Sequence, residues 1–235
     1  MLDRLALSFD LQRQFAGNAA HELRTPLAMM QTKLELFTEE HSDVDAETSK
    51  LVQFQIDQVD RLTSLVRTLL EMSNLQSVSR SDEIELAPLI DEILTDLTTL
   101  AEQKNITLHQ NCEDVHMIGS DTLIYRLLFN LIENAIKYNH SGGSVTVSMQ
   151  QENQQVLLHI ADTGCGIPEE YRESIFQPFF RVDKSRSRQM GGVGLGLALV
   201  REIAVLHGGS VCVESGSKDG TTFAVKLPLN GEKTE

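Results

Sequence analysis

The first third of the chain consists almost entirely of residues that favour helices, and this limits the possible fold more than any other feature. Residues 2–75 contain only Gly17 and Pro26 as helix-breaking residues. A polar stretch at 41–46 interrupts the helical pattern and predicts a turn. The sequence therefore predicts a hairpin of two long helices over residues 1–75.

The second of these helices carries a heptad-like seam, in which mostly apolar residues recur at alternating steps of four and three. The seam residues are Val52, Ile56, Val59, Thr63, Val66 and Leu70, and the residues that extend the same face are Leu62, Leu65, Leu69 and Met72. Because a two-helix hairpin cannot enclose a core alone, we expect a homodimer in which two hairpins form a four-helix bundle.

Residues 76–87 are predicted to form a linker, and after Pro88 the pattern changes to mixed α and β. The predicted helices lie at 88–104, 120–139 and 195–207, and the predicted strands at 106–111, 144–150, 155–161, 209–214 and 221–227. The expected fold class is α+β: a helical hairpin followed by an α/β sandwich over 88–230 with much antiparallel pairing, and a polar tail at 231–235.

Charge and cysteine content exclude several classes of protein. The chain has 20 Lys and Arg against 34 Asp and Glu, so its net charge of −14 repels nucleic acids and anionic membranes. Its three cysteines form no CxxC pair, which argues against a disulfide framework or a zinc site. No apolar run approaches the roughly 18 residues of a membrane span. The uncapped helical pattern at the N-terminus predicts a piece of a longer protein.

The motif His-Glu-Leu-Arg-Thr-Pro occupies residues 21–26 of the first helix. His21 and Thr25 lie four residues apart and share a helix face, and Pro26 allows the helix to bend. A neutral imidazole can act as a nucleophile, while the adjacent Glu22 holds its other ring N–H. An ordinary surface histidine beside a glutamate would give the same pattern.

The predicted helix at 120–139 is amphipathic, with Asn130, Asn134 and Lys137 opposite its apolar face. Two amides and an ammonium in this alignment suit a hydrated Mg²⁺ and a polyphosphate. The alternative is a solvated face on which Glu133 and Lys137 form an ion pair.

Two glycine-rich motifs follow. Asp162 follows the predicted strand at 155–161 and begins the motif Asp-Thr-Gly-Cys-Gly. Its carboxylate can accept a hydrogen bond from the exocyclic amine of adenine, and the glycines let the backbone approach a ligand; the alternative is a tight turn. Residues 191–197 are rich in glycine and lead into a predicted helix, and such a helix N-terminus can bind an anion. The basic stretch at 181–188 that precedes them would close over phosphates, and a solvated basic loop is the alternative. Phe176 is expected in the core, and Phe179 and Phe180 are candidates to anchor the basic stretch.

The order and spacing of these motifs resemble the sensor histidine kinases of two-component systems over nearly the whole chain. The resemblance implies a protein-histidine kinase with a dimerisation and phosphotransfer hairpin and an ATP-binding domain of the Bergerat type. It makes His21 the phospho-acceptor, Glu22 its acid/base partner and Thr25 the residue that orients water in a phosphatase reaction. Ala20 is a departure, since many relatives carry Ser before the histidine.

The resemblance also implies ATP and Mg²⁺ as cofactors, with Asn134 as the metal ligand, Asn130 in support, Asp162 at the adenine and Arg181 near the γ-phosphate. The full set of implied nucleotide-binding positions is Asn130, Asn134, Lys137, Tyr138, Asp162, Gly164, Gly166, Arg181, Gly192, Gly194, Gly196 and Leu197.

The implied partners are a response regulator receiver domain and a second copy of the chain, without nucleic acid. The implied location is the cytoplasmic side of a bacterial membrane sensor whose membrane segments this chain lacks. Two rival functions remain open from the sequence. Another ATPase of the same nucleotide-binding superfamily would leave His21 and Glu22 without a role, and a non-catalytic dimeric scaffold would leave the nucleotide motifs without one.

Overall fold

The computed structural model describes residues 2–41, 44–182, 193–217 and 220–230, and leaves the side chains of residues 2–18, 20, 21 and 217 undescribed. The chain divides into two compact units, with the boundary between Ser77 and Val78. Within the described parts, no helix combines the length and the apolar character needed to cross a membrane.

The first unit is the predicted helical hairpin. Helix α1 spans Leu2–Glu40 with Pro26 inside it, and helix α2 spans Ala46–Asn74. Asp45 caps α2, because its Oδ1 accepts the backbone N–H groups of Glu47 and Thr48, both at 2.9 Å. These bonds satisfy donors that have no partner within the helix, so the polar turn also starts the second helix.

The hairpin core uses only part of the predicted seam. Leu27 of α1 is buried together with Val59, Val66 and Leu70 of α2. Leu62, predicted to extend the same face, is 48% exposed. A second apolar stripe on α2, formed by Leu51, Phe54 and Leu62, is therefore left at the surface of the single hairpin.

The second unit contains three α-helices and seven strands among its described residues, with two short 3-10 helices at Glu169–Tyr171 and Ser174–Phe176. The helices are α3 (Leu86–Gln103), α4 (Asp121–Lys137) and α5 (Gly196–Leu206), and the strands are β1 (Asp82–Glu85), β2 (Thr107–Cys112), β3 (His116–Gly119), β4 (Ser144–Glu152), β5 (Gln155–Asp162), β6 (Ser210–Ser217) and β7 (Gly220–Pro228). All of the predicted helices and strands of this region are confirmed, with ends that differ by up to three residues.

Five strands form one sheet in the order β2-β4-β5-β7-β6. Strands β2 and β4 are parallel, and the other neighbours are antiparallel. Alternate residues of β4 and β5, such as Val147 and Ile160, are completely buried, as are Leu128 and Leu131 of α4. The sheet and the helices therefore form the two layers of an α/β sandwich with an aliphatic core.

The predicted linker at 76–87 is wrong over its second half. Residues 82–85 form β1, which pairs antiparallel with β3 so that Ile84 lies opposite Met117. Both side chains are 2% exposed. Helix α3 begins at Leu86, which places Pro88 in the first turn, where its missing N–H costs no helical hydrogen bond. Both strands are only four residues long, too short for a recognisable alternation.

A buried histidine connects the start of α4 to the end of α5. The Nε2 atom of His207 accepts the backbone N–H of Ser120 at 3.1 Å, and its Nδ1 lies 2.9 Å from the carbonyl oxygen of Ile203. Burial lowers the pKa of His207, and the charge of Arg80 lowers it further. The imidazole is therefore neutral, with Nδ1–H as donor and Nε2 as acceptor.

Candidate functional site

Asp162, the last residue of β5, has one carboxylate oxygen fixed by the backbone. Its Oδ1 accepts the N–H groups of Gly164 at 2.7 Å and Thr221 at 3.2 Å. Burial raises the pKa of this carboxyl, and the two backbone hydrogen bonds oppose that rise. None of the described residues donates a hydrogen bond to Oδ2. This partly buried oxygen, whose orientation the bonds to Oδ1 fix, can therefore accept a hydrogen bond from the amine of a ligand.

Thr221 and Gly220 belong to this site, although the sequence reasoning did not select them. Gly220 has a φ of +134°, and a Cβ there would overlap the carbonyl oxygen of Asp162. The start of β7 can therefore lie directly against Asp162 only with glycine at 220. A Gly-Thr pair after the turn that follows β6 was the available signal.

The loop that follows Asp162 packs on the residues that end α4. A Cβ on Gly164 would lie 3.0 Å from Asn139 Cα and still closer to the carbonyl oxygen of Tyr138. That same oxygen accepts the N–H of Cys165 at 3.3 Å. Gly166 follows with a φ of +69°. The structure thus brings Asp162, Gly164 and Tyr138 together at the end of α4.

The polar face of α4 shows the ion pair that was one of the two arrangements considered from the sequence. Lys137 Nζ lies 2.8 Å from Glu133 Oε1, so the ion pair forms. Asn130 donates to the carbonyl oxygen of Arg126 at 2.7 Å, and its Oδ1 lies 2.7 Å from the position of a Cβ on Gly196. The Asn130 amide group is therefore bonded within α4, and glycine at 196 lets the start of α5 lie close to its oxygen.

Asn134 differs from Asn130, because no hydrogen bond of its side chain is recorded with the described residues. Its amide oxygen is a neutral ligand of the kind Mg²⁺ accepts while it keeps several waters and binds phosphate oxygens. No cluster of three or more His, Cys, Asp or Glu side chains suited to a metal occurs in the described part of the chain. A single amide oxygen at this position fits a Mg²⁺ ion that takes most of its other ligands from water and phosphate.

The glycine-rich segment before α5 is joined by a backbone hydrogen bond to Phe179, whose side chain is exposed. Phe179 N–H donates to the carbonyl oxygen of Gly194 at 2.8 Å, and Gly194 has a φ of +78°. Phe180 packs on Tyr171 with ring centroids 5.8 Å apart. Phe176 is buried, which confirms its predicted place in the core.

Part of the predicted lid lies outside the described residues, namely Gly192 and the basic residues from 184 to 188. Leu197 follows Gly196 in the first turn of α5 and is half-buried. At the other end of the segment, burial raises the pKa of Tyr138, while the charge of Arg181 opposes the rise. The positive charge of Arg181 therefore acts on the residue that follows α4.

The motif at 21–26 lies within α1, as predicted. The side chain of His21 is outside the description, whereas Glu22 and Thr25 are exposed and Leu27 is buried in the hairpin core. Because His21 and Thr25 are one helical turn apart, they share a face of the hairpin.

Two protein-family models match the chain. The model described as "His Kinase A (phospho-acceptor) domain" matches residues 11–78. The model described as "Histidine kinase-, DNA gyrase B-, and HSP90-like ATPase" matches residues 119–231. The two matches fall on the helical hairpin and on the α/β sandwich respectively.

Similar proteins include two sensor kinases. The sensor histidine kinase RppB of Synechocystis sp. is 36% identical over 228 residues, which cover 94% of this chain and 50% of RppB. The signal transduction histidine-protein kinase ArlS of Staphylococcus aureus is 35% identical over 233 residues, covering 96% of this chain and 51% of ArlS. The chain thus spans about half the length of these relatives.

Solved structures of similar fold include two histidine kinase complexes. Full-length ShkA in complex with AMPPNP has a TM-score of 0.76 and 24% identity, over 93% of this chain and 46% of ShkA. Histidine kinase ThkA in complex with the response regulator protein TrrA has a TM-score of 0.67 and 26% identity, over 98% of this chain and 64% of ThkA.

Proposed function

The chain belongs to the sensor histidine kinases of two-component systems, as a catalytic core, and from this we propose that it uses MgATP to phosphorylate its own His21. The phosphoryl group then passes to an aspartate of a response regulator. One observation supports the proposal: the Oδ1 atom of Asp162 is held by Gly164 and Thr221, and the loop after Asp162 packs against Tyr138 at the end of the helix that carries Asn134. The matched phospho-acceptor domain supplies the acceptor.

The residues that accept the phosphoryl group lie on α1. One ring nitrogen of neutral His21 attacks the γ-phosphorus of ATP; an N–P bond forms while the bond to the β,γ-bridging oxygen breaks and ADP leaves. Glu22 accepts the N–H of the other ring nitrogen and balances the positive charge that develops on the imidazole. The exposure of Glu22 fits a face that a nucleotide-bearing domain must reach.

The nucleotide is bound by the second unit. Asp162 Oδ2 accepts the adenine amine, Gly164 allows the base to approach the backbone, and Lys137 and Arg181 supply positive charge for the phosphates. A Mg²⁺ ion bound at Asn134 would neutralise part of the phosphate charge.

The response regulator is proposed as the partner because ThkA, a structural relative, is known in complex with the response regulator protein TrrA. Since RppB and ArlS are about twice as long as this chain, we also propose that the chain acts as the cytoplasmic part of a longer bacterial membrane sensor. Incubation with γ-labelled ATP tests the core proposal: a histidine kinase retains label on protein that is labile in acid and stable in base, and a simple ATPase retains none.

Dimerisation should depend on the second apolar stripe of α2. We expect the wild-type chain to sediment as a dimer at micromolar concentration and Leu62→Glu to sediment as a folded monomer, because the new carboxylate would be buried unpaired at a cost of about 3–5 kcal/mol. Val59→Glu should instead unfold the hairpin, since Val59 is already buried within a single chain. A wild-type monomer, or a dimeric Leu62→Glu variant, would contradict this interface.

Thr25→Ala should separate two activities of one helix face. A hydroxyl about one turn from His21, ~5–6 Å away, can hold a water in line with the aspartyl phosphate of a docked regulator. It has no part in the attack of His21 on ATP. We expect autophosphorylation within a few-fold of wild type and a loss of about 10²-fold in phosphatase activity toward the phosphorylated regulator.

The paired measurement is label incorporation from ATP and the decay of purified phospho-regulator with ADP and Mg²⁺. Thr38→Ala is the matched control, because Thr38 lies on the same helix with its hydroxyl bonded to the carbonyl oxygen of Leu34 at 2.9 Å. Equal losses in both assays for Thr25→Ala would leave Thr25 with a structural role only.

A further inference from the structure

Asn139, which follows α4, makes a set of hydrogen bonds that neither the sequence motifs nor the proposed chemistry uses. Its Oδ1 accepts the hydroxyl of Thr163 at 3.1 Å and the backbone N–H of His140 at 3.0 Å. Its Nδ2 donates to the carbonyl oxygen of Ser144 at 2.9 Å. One amide therefore joins the end of α4 to the start of β4 and to the residue next to Asp162.

Thr163 completes the connection through Ser144. The N–H of Ser144 donates to Thr163 Oγ1 at 2.9 Å, and the N–H of Thr163 donates to the Ser144 carbonyl oxygen at 3.2 Å. All three residues are half-buried, where hydrogen bonds compete less with water. We call Asn139, Ser144 and Thr163 the α4 latch.

Gly143 leaves the space that the latch occupies. A Cβ at this buried position would overlap Asn139 Oδ1 and lie 2.6 Å from Thr163 Oγ1. A larger residue at 143 would therefore push the two side chains apart. Glycine at 143 therefore leaves space for the hydrogen bond between Asn139, which follows α4, and Thr163, which follows β5.

We propose that Asn139 is a positioning residue for nucleotide binding, which acts through Thr163 on Asp162 and rests on the proposed function. Asn139 lies two residues beyond Lys137, the end of α4, and Thr163 follows Asp162 directly. The latch therefore fixes the adenine-binding carboxylate relative to the helix that carries Asn134 and Lys137. An adenine nucleotide binds tightly only when the distance is kept between Asp162, at the adenine, and Asn134 and Lys137, at the phosphates.

The test compares variants that break the latch with one that keeps it. Thr163→Val removes the hydroxyl at nearly constant shape, Thr163→Ser retains it, and Asn139→Ala removes the partner amide. We expect Thr163→Val and Asn139→Ala each to weaken MgADP binding about tenfold in calorimetric titration, and Thr163→Ser to stay near wild type. The double variant should lose clearly less than about a hundredfold, since both changes break the shared Asn139–Thr163 hydrogen bond, although each also breaks one bond to Ser144.

Two further readouts separate positioning from general loss of stability. Autophosphorylation at saturating ATP should stay within about twofold of wild type, so that KM changes and kcat does not. Tyr125→Phe is the matched control: it removes the 2.6 Å hydrogen bond from Tyr125 to Asp96, which ties α4 to α3, and should lower the melting temperature without weakening ADP binding.

Each outcome decides the inference. Wild-type affinity in Thr163→Val and Asn139→Ala, additive losses in the double variant, or an equal loss in Tyr125→Phe would overturn the positioning role while leaving the proposed kinase intact. A wild-type chain that binds no ADP would overturn the proposed function itself. If Thr163→Val fails to fold, Asn139→Asp decides, because it keeps the Oδ1 acceptor and replaces the donor to Ser144 with a charged carboxylate oxygen. Its MgADP affinity should fall about threefold, and an unchanged affinity would count against the latch.

Discussion

The Asp162→Asn variant is expected to lose ATP binding, by about 10²-fold or more, and to keep its helical hairpin and its dimer. Asp162 Oδ1 accepts two backbone N–H groups, from Gly164 and Thr221. If the asparagine keeps its oxygen there, it must present an NH₂ group to the adenine amine, so that two donors meet. A lost hydrogen bond to a charged group and a donor left unpaired give a loss of this size.

Calorimetric titration with ADP and Mg²⁺ measures the effect directly. Asp114→Asn is the matched control, since it makes the same change of charge at a side chain that is 83% exposed. If Asp162→Asn bound ADP as tightly as wild type, the assignment of Asp162 to adenine would be wrong.

The His21→Gln variant is expected to show the reverse behaviour, with no autophosphorylation and nearly normal ATP binding. A glutamine amide nitrogen is not nucleophilic, so the phosphoryl group has no acceptor at position 21. Nucleotide binding is retained because residue 21 lies in the hairpin unit, whereas Asp162 and Asn134 lie in the other.

Histidine 41 provides the matched control for this substitution. It lies just beyond the end of α1, where its ring stacks on Phe37 with centroids 4.5 Å apart. His41→Gln should be labelled by γ-labelled ATP as wild type is. Undiminished label on His21→Gln would show that another residue is the acceptor, and His41 would be the first to examine.

Local patterns were sufficient for most of the fold. The near absence of breakers predicts the hairpin, and the alternation of strands around polar turns predicts β4 with β5 and β6 with β7. The amphipathic pattern of α4 predicts which side carries Asn130, Asn134 and Lys137. Strands β1 and β3 were missed, because each buries a single apolar side chain, Ile84 or Met117, in only four residues.

Contacts between distant residues were beyond the reach of such patterns. Thr221 donates to Asp162 across 59 positions, and nothing in the local sequence of either residue marks the pair. The heptad spacing likewise shows that α2 has apolar positions, but not that Val59 is covered within one chain while Leu62 is left exposed. Only the packing of α1 on α2 distinguishes the two.

The most direct test of the central claim is to locate the phosphoryl group itself. The purified chain is incubated with MgATP, digested at alkaline pH and analysed by mass spectrometry with fragmentation that preserves N–P bonds. The proposed function predicts a single phosphorylated peptide that contains residues 19–24, with the phosphate on His21 and lost on brief acid treatment. A phosphate on a serine, threonine or aspartate, or a nucleotide hydrolysed with no phosphate on the chain, would contradict it.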